Sequence, residues 1–263
     1  PESGGGMRHK SRPQTFWVFS LALSPLFSSG APPAWAGPPF SEFVDPNPAP
    51  GNQFGQIVMP LTTGNVVITS PFDDAGGNDA GAVYLFNGAT GALISTLTGS
   101  SAGDRIGSAG VTALANGNFV VRSPLWDNGA AVDAGAVTWG NGTTGIAGVV
   151  SPANSLVGSS AGDAVGNVGV VGLISGNYVV SSNTWDNGPA ANAGAVTWGN
   201  GAVGVSGAVS ASNSLVGGSA SDGVGFAPAA VLTNGNYVVR IPSWDGAAAD
   251  VGAAGARLVE PGE

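Results

Sequence analysis

The sequence predicts an all-β fold of tandem antiparallel four-stranded blades, an incomplete (open) β-propeller, and three observations carry that expectation. The chain repeats itself: Ile106-Gly107, Val165-Gly166 and Val224-Gly225 recur every 59 residues, as do Trp126, Trp185 and Trp244, and Trp139 with Trp198. Each unit places a turn dipeptide between two apolar, β-branched runs: Thr63-Gly64, Asn116-Gly117, Ser175-Gly176 and Asn234-Gly235. That is the signature of a tight hairpin. Composition agrees, because 45 glycines with 43% hydrophobic and only 9% charged residues are too apolar for disorder and too glycine-rich for long helices. Three or four short strands per unit make one blade, whose sheet cannot bury both faces alone and must stack on its neighbours. A parallel β-helix is the structural rival, although its coils are usually far shorter and need no hairpin in each.

In chain order, residues 1–36 read as a leader and signal peptide. Arg8, Lys10 and Arg12 precede an apolar stretch from Thr15 to Phe27, and Ala34-Trp35-Ala36 has the small-x-small form of a cleavage site. A membrane anchor or core helix is the other reading, but the stretch is shorter than the roughly 20 residues a span needs. Residues 37–53 are a Pro-rich lead-in. Blade 1 covers 54–105, blade 2 covers 106–164, blade 3 covers 165–223, and 224–263 is a partial blade 4 with an aberrant tail. Within blade 2, Gly107 to Leu114 is the first strand and Asn118 to Ser123 the second, joined by a two-residue turn at Asn116-Gly117. A loop from Pro124 to Ala134 leads to a third strand, Gly135 to Gly140, and a weaker fourth follows around Ile146 to Val150. Blade 4 departs from the pattern where "GAVTWGNG" is due and reads "GAAGARLVEPGE" instead, as a cap or, by preference, as the result of truncation or a shifted reading frame.

The stretch from Phe54 to Gly88, with its starting Phe-Gly, a strand ending near Pro71 and then Gly81-Ala82-Val83-Tyr84, resembles an FG-GAP repeat, the blade of integrin-α-type propellers. The later units, with "VVRSP", "AGAVTWGNG" and Trp-Asp-Asn-Gly, resemble variants of that blade in exported bacterial repeat proteins. The resemblance extends from residue 54 to about 254, and implies adhesion or ligand binding. Many blades of that family carry an acidic calcium loop between the first two strands. Here that place reads "TTGN", "ANGN", "SGN" and "TNGN", without a carboxylate. Calcium takes six to eight oxygens, usually several from carboxylates, so the family's metal site does not carry over.

Several chemistries are closed to this inventory. There is no Cys, and the single His is His9 within the leader, which removes Ser-His-Asp and Cys-His catalysis, zinc sites built on His or Cys, and His-ligated haem. Beyond residue 36 only Arg105, Arg122, Arg240 and Arg257 face 15 acids, a net charge of −11. Neither nucleic acid nor an anionic membrane is therefore an expected partner.

The loop between the second and third strands holds the candidate binding residues. They are Trp126, Asp127, Asn128 and Asp133, then Trp185, Asp186, Asn187 and Asn192, then Trp244 and Asp245, with Phe72, Asp73 and Asp79 as the blade 1 counterparts. Three roles fit them. Trp packs between blades while Asp and Asn hold turns; or exposed Trp stacks on sugar; or Asp127 and Asp133 bind calcium. Repetition favours packing, since a catalytic centre needs unlike groups converging once.

The function expected is that of an exported, non-enzymatic adhesion or ligand-binding module, secreted or on the cell surface. It would need no cofactor, would bind an extracellular glycan or protein, and would self-associate through an open blade edge. The alternatives are a structural surface repeat with no specific ligand and a carboxylate-dependent glycosidase.

Overall fold

The computed structural model describes residues 42–246 and 248–257. The expected leader and cleavage site, and the last six residues, lie outside the described part. Among the described residues every regular element is a strand, and the strands form four small sheets in sequence order.

The first sheet is an antiparallel meander of β1 (Ile57–Pro60), β2 (Asn65–Ser70), β3 (Ala82–Asn87) and β4 (Leu93–Thr98). The second contains β5 (Gly110–Ala113), β6 (Phe119–Ser123), β7 (Ala136–Gly140) and β9 (Ser155–Val157). The third contains β10 (Gly169–Gly172), β11 (Tyr178–Ser182), β12 (Ala195–Gly199) and β14 (Ser214–Val216). The fourth contains β15 (Ala230–Val231), β16 (Tyr237–Ile241) and β17 (Ala253–Arg257). These are tandem blades, and no sheet coils as stacked parallel rungs.

Three details differ from the sequence reading. The hairpin loop has three residues, not two. In blade 2 Leu114 and Asn118 pair, the Gly117 N–H returns to the Leu114 carbonyl at 3.0 Å, and only Gly117, at φ 88°, is left-handed. This is a type I turn closed by a glycine bulge, which needs one positive φ where the two-residue turn needs two.

The fourth strand is also misplaced by the sequence. The expected segment contains β8 (Gly148–Val149), which pairs parallel with β4 of the preceding blade, while the blade's own fourth strand is Ser155–Val157. Its counterpart in the next blade, β13 (Gly207–Ala208), pairs parallel with β9. An edge strand presents unpaired N–H and C=O groups, and the connection between β7 and β9 is long enough to reach them. The short link between β3 and β4 is not, so blade 1 lends no such strand.

The third difference is the tail. Ala253–Arg257 pairs with the whole of β16, and the Gly252 N–H donates to the Trp244 carbonyl as Gly135 donates to Trp126. The departing sequence thus still builds a third strand.

Stacking faces make the core. One cluster joins Val67, Leu85 and Leu97 of blade 1 to Phe119, Val121 and Trp126 of blade 2. A second joins Leu114, Val120 and Leu156 to Tyr178, Val180 and Trp185, and a third joins Leu173, Val179 and Val196 to Tyr237 and Val239. The outer face of blade 1 is covered instead by the lead-in, whose Phe43 packs on Phe86 at 5.3 Å between centroids.

Candidate functional site

The loops joining the second and third strands lie beside one another at one end of the blades, and the segments that link blade to blade run between them. Each link carries a buried aspartate. The Asp104 carboxylate accepts the Ser100 and Ser101 N–H groups of its own turn at 2.7 and 2.8 Å, and the Asp127 N–H of the next blade at 3.0 Å. Asp163 does the same with Ser159, Ser160 and Asp186, and Asp222 with Gly218, Ser219 and Asp245. Burial alone would raise the Asp222 carboxyl. The N–H donors of Asp245, Ser219 and Gly218 outweigh it and hold that group below the usual carboxylate range.

The predicted loop residues are largely engaged within the fold. Trp126 and Trp185 are 3% and 4% exposed and face the preceding blade, so neither indole offers a stacking surface to sugar. Trp244 is half-buried in the third junction. Asp127 accepts the Asp133 N–H, Asp186 the Asn192 N–H and Asp245 the Asp250 N–H, each at 2.8 Å. Asn128 and Asn187 donate through Nδ2 to the Gly158 and Gly217 carbonyls at 2.8 Å. Asp133 and Asn192 are left-handed, with φ 52° and 53°, a conformation that Asp and Asn tolerate better than most residues. Their repetition has a backbone cause. Among the described residues no group of three His, Cys, Asp or Glu side chains converges as a metal site.

Blade 1 corrects the expected correspondence. The Asp73 carbonyl receives the Gly81 N–H as the Trp126 carbonyl receives Gly135, and Asp74 accepts the Asp79 N–H as Asp127 accepts Asp133. Asp73 therefore stands at the tryptophan position, and Asp74, which the sequence reading passed over, at the position of Asp127. Fully buried, Asp73 accepts from Tyr84 Oη at 2.6 Å, from Asn47 Nδ2 at 2.8 Å and from the Ala75 N–H at 2.9 Å. Burial, then the Asp73 carboxylate, pushes the Tyr84 hydroxyl far above its usual range. Where the later blades pack an indole on the blade before them, the first described blade meets the lead-in residue Asn47 through a carboxylate. Counting from Ser70-Pro71 against Ser123-Pro124 would have found this alignment.

The three junctions differ in one wall. At the residue after the buried aspartate stand Arg105, Ala164 and Gly223. Arg105 lays its guanidinium 4.8 Å from the centroid of the Phe72 ring and closes the first junction. Gly223 leaves the third open, as a cleft of about 190 Å³ lined by residues that include Asn183, Thr184, Asn192, Phe226 and Ser243. Of these, the sequence analysis singled out only Asn192. Asn183, Thr184 and Phe226 vary between repeats, so no repeated pattern marked them.

A comparison with protein-family models matches a repeat of unknown function, DUF5650, at residues 60–108, 113–167, 172–226 and 231–255. Among curated proteins there is no match.

Proposed function

We propose, from the premise that this chain belongs to the DUF5650 repeat family, that it is an exported, non-enzymatic module for adhesion or ligand binding, with the loop end of its blades as the contact surface. One observation carries the reading. The repeated carboxylates and indoles of these loops are engaged in joining blades, whereas the third junction retains an open cleft whose Asn183 Nδ2, Asn192 side-chain amide and Ser243 hydroxyl make no hydrogen bond within the described residues. A rigid framework with one variable, unfilled junction suits recognition. The resemblance of blade 1 to FG-GAP blades supports adhesion as the purpose, and the leader supports export.

Burial of Trp126 and Trp185 favours a second reading, a structural surface repeat without a specific ligand. The two separate on a binding assay against immobilised glycoproteins and polysaccharides, run beside a Gly223→Arg variant. Saturable binding by the native chain, weakened at least tenfold in the variant, supports the binding module. Folded native protein that binds nothing, or a variant that binds equally, overturns it.

A further inference from the structure

The geometry points to a neutral, polyhydroxylated ring, of the size of one sugar residue, as the occupant of the cleft between the third and fourth blades. This inference rests on the binding reading above and names the ligand class for that site.

Four observations converge. The Phe226 ring is 63% exposed at the cleft, although an isolated exposed aromatic on a water-facing loop gains nothing from burial. It offers an apolar face against which the C–H side of a ring can lie. The hydrogen-bonding groups around it are uncharged. Asn183 Oδ1 accepts from Asn167 Nδ2 at 2.8 Å, which fixes that amide and leaves its own Nδ2 to donate into the cleft. Asn192 replaces the aspartate found at the same place in blade 2, and Ser243 adds a hydroxyl that can donate or accept. The one carboxylate in the lining, Asp222, already holds three backbone N–H groups. It is not free to bind a cation, and its charge is spent on the framework. With no Lys or Arg among the lining residues, an anion finds no counter-charge. A volume of about 190 Å³ falls below the ~300 Å³ at which sites for drug-sized ligands begin. It suits one ring rather than an extended chain.

The repeats show how this junction differs from the other two. At the phenylalanine position blade 2 has Ser108 and blade 3 has Asn167, whose side chain is bound to Asn183 and Thr184. At the position of Gly223 the other junctions carry Arg105 and Ala164 in the same left-handed conformation, φ 46° and 44° against 61°. The fold thus carries a side chain at that position in two junctions, at the backbone strain that any residue but glycine meets there, and glycine here removes a wall.

The molecule therefore supplies its own test variants. Gly223→Arg installs the residue of the first junction, and Phe226→Ser the residue of blade 2. Saturation-transfer NMR and calorimetry with neutral mono- and disaccharides should detect binding by the native protein. Each variant should lower affinity at least tenfold while keeping a single cooperative thermal transition, with a somewhat lower midpoint for Gly223→Arg because its φ is positive, and Ala164→Gly, in the neighbouring junction, should leave affinity unchanged. Absence of transfer from any neutral sugar, or binding indifferent to both variants, overturns the assignment. If immobilised glycoprotein is bound and lost in Gly223→Arg, yet free neutral sugars do not compete, the ligand class is wrong and the binding module stands. If nothing is bound in either format, both fail.

Discussion

At the scale of the residue, one aspartate in each link does more than its exposure in sequence suggests. Asp163 satisfies two N–H groups of its own turn and one of the next blade, so it stitches a loop and a junction together. Each buried donor left unpaired costs roughly 1–3 kcal/mol. Asp163→Ala should therefore lower stability by about 3 kcal/mol in urea unfolding, and Asp163→Asn by less, because one oxygen remains an acceptor. Asp222 adds a pH dependence. Its folded-state carboxyl lies below the ordinary ~3.9, so its stabilisation is complete above that value and fades as pH falls through the depressed one. The thermal midpoint should drop on acidification below about pH 4, and Asp222→Asn should flatten that limb. In the sequence Asp104, Asp163 and Asp222 recur every 59 residues, each opening a D-x-[IV]-G string. Their partners are not legible there, because backbone N–H groups leave no residue signature.

At the scale of the element, the cross-strand pair at one register position exchanges large and small residues between blades. Blade 1 opposes Val66 to Phe86, whereas blade 2 opposes Phe119 to Gly140 and blade 3 opposes Tyr178 to Gly199. A Cβ added at Gly140 would come within 2.2 Å of the Phe119 ring, so the glycine exists to seat the ring. Gly140→Phe alone should overpack by about 1–3 kcal/mol or more. Combining it with Phe119→Val, which recreates the blade 1 arrangement, should recover most of the loss. A double-mutant cycle in urea with no coupling would refute the exchange. The parallel strands β8 and β13 belong to the same scale. Their two-residue length gives no periodicity to read, which is why a strand could be expected there while its partner, on a different blade, could not.

At the scale of the whole described array, equivalent leucines record how far stacking proceeds. Leu61, Leu114 and Leu173 are 7%, 3% and 2% exposed, but Leu232 in the last blade is 38% exposed. Leu97 and Leu156 are fully buried, and Leu215, whose strand receives no parallel partner among the described residues, is 44% exposed. In a stack where each unit contacts its neighbours, stability falls towards an uncovered end. Leu114→Ala should cost about 2–5 kcal/mol, and Leu232→Ala distinctly less. Hydrogen exchange should be slowest in β6, β7 and β11 and fastest in β15 and β16. Equal protection across all four blades would contradict nearest-neighbour stacking. The self-association expected of an open edge remains a proposal, with concentration-dependent sedimentation as its check. At the opposite end Phe43 and the Asp73–Asn47–Tyr84 network cover blade 1, so association should proceed from the last blade.

The sequence by itself determined the repeat length, the all-β class and the hairpin in every unit, because local turn chemistry and a periodic apolar pattern are written residue by residue. Its inventory also holds no cysteine, and no histidine beyond His9. Only the tertiary structure decided which strand closes each blade, that Asp73 stands where the later blades place an indole, and that Gly223 opens the third junction. These are contacts between segments far apart in the chain. Their energy lies in what a neighbour leaves uncovered, and the order of residues along the chain does not state it.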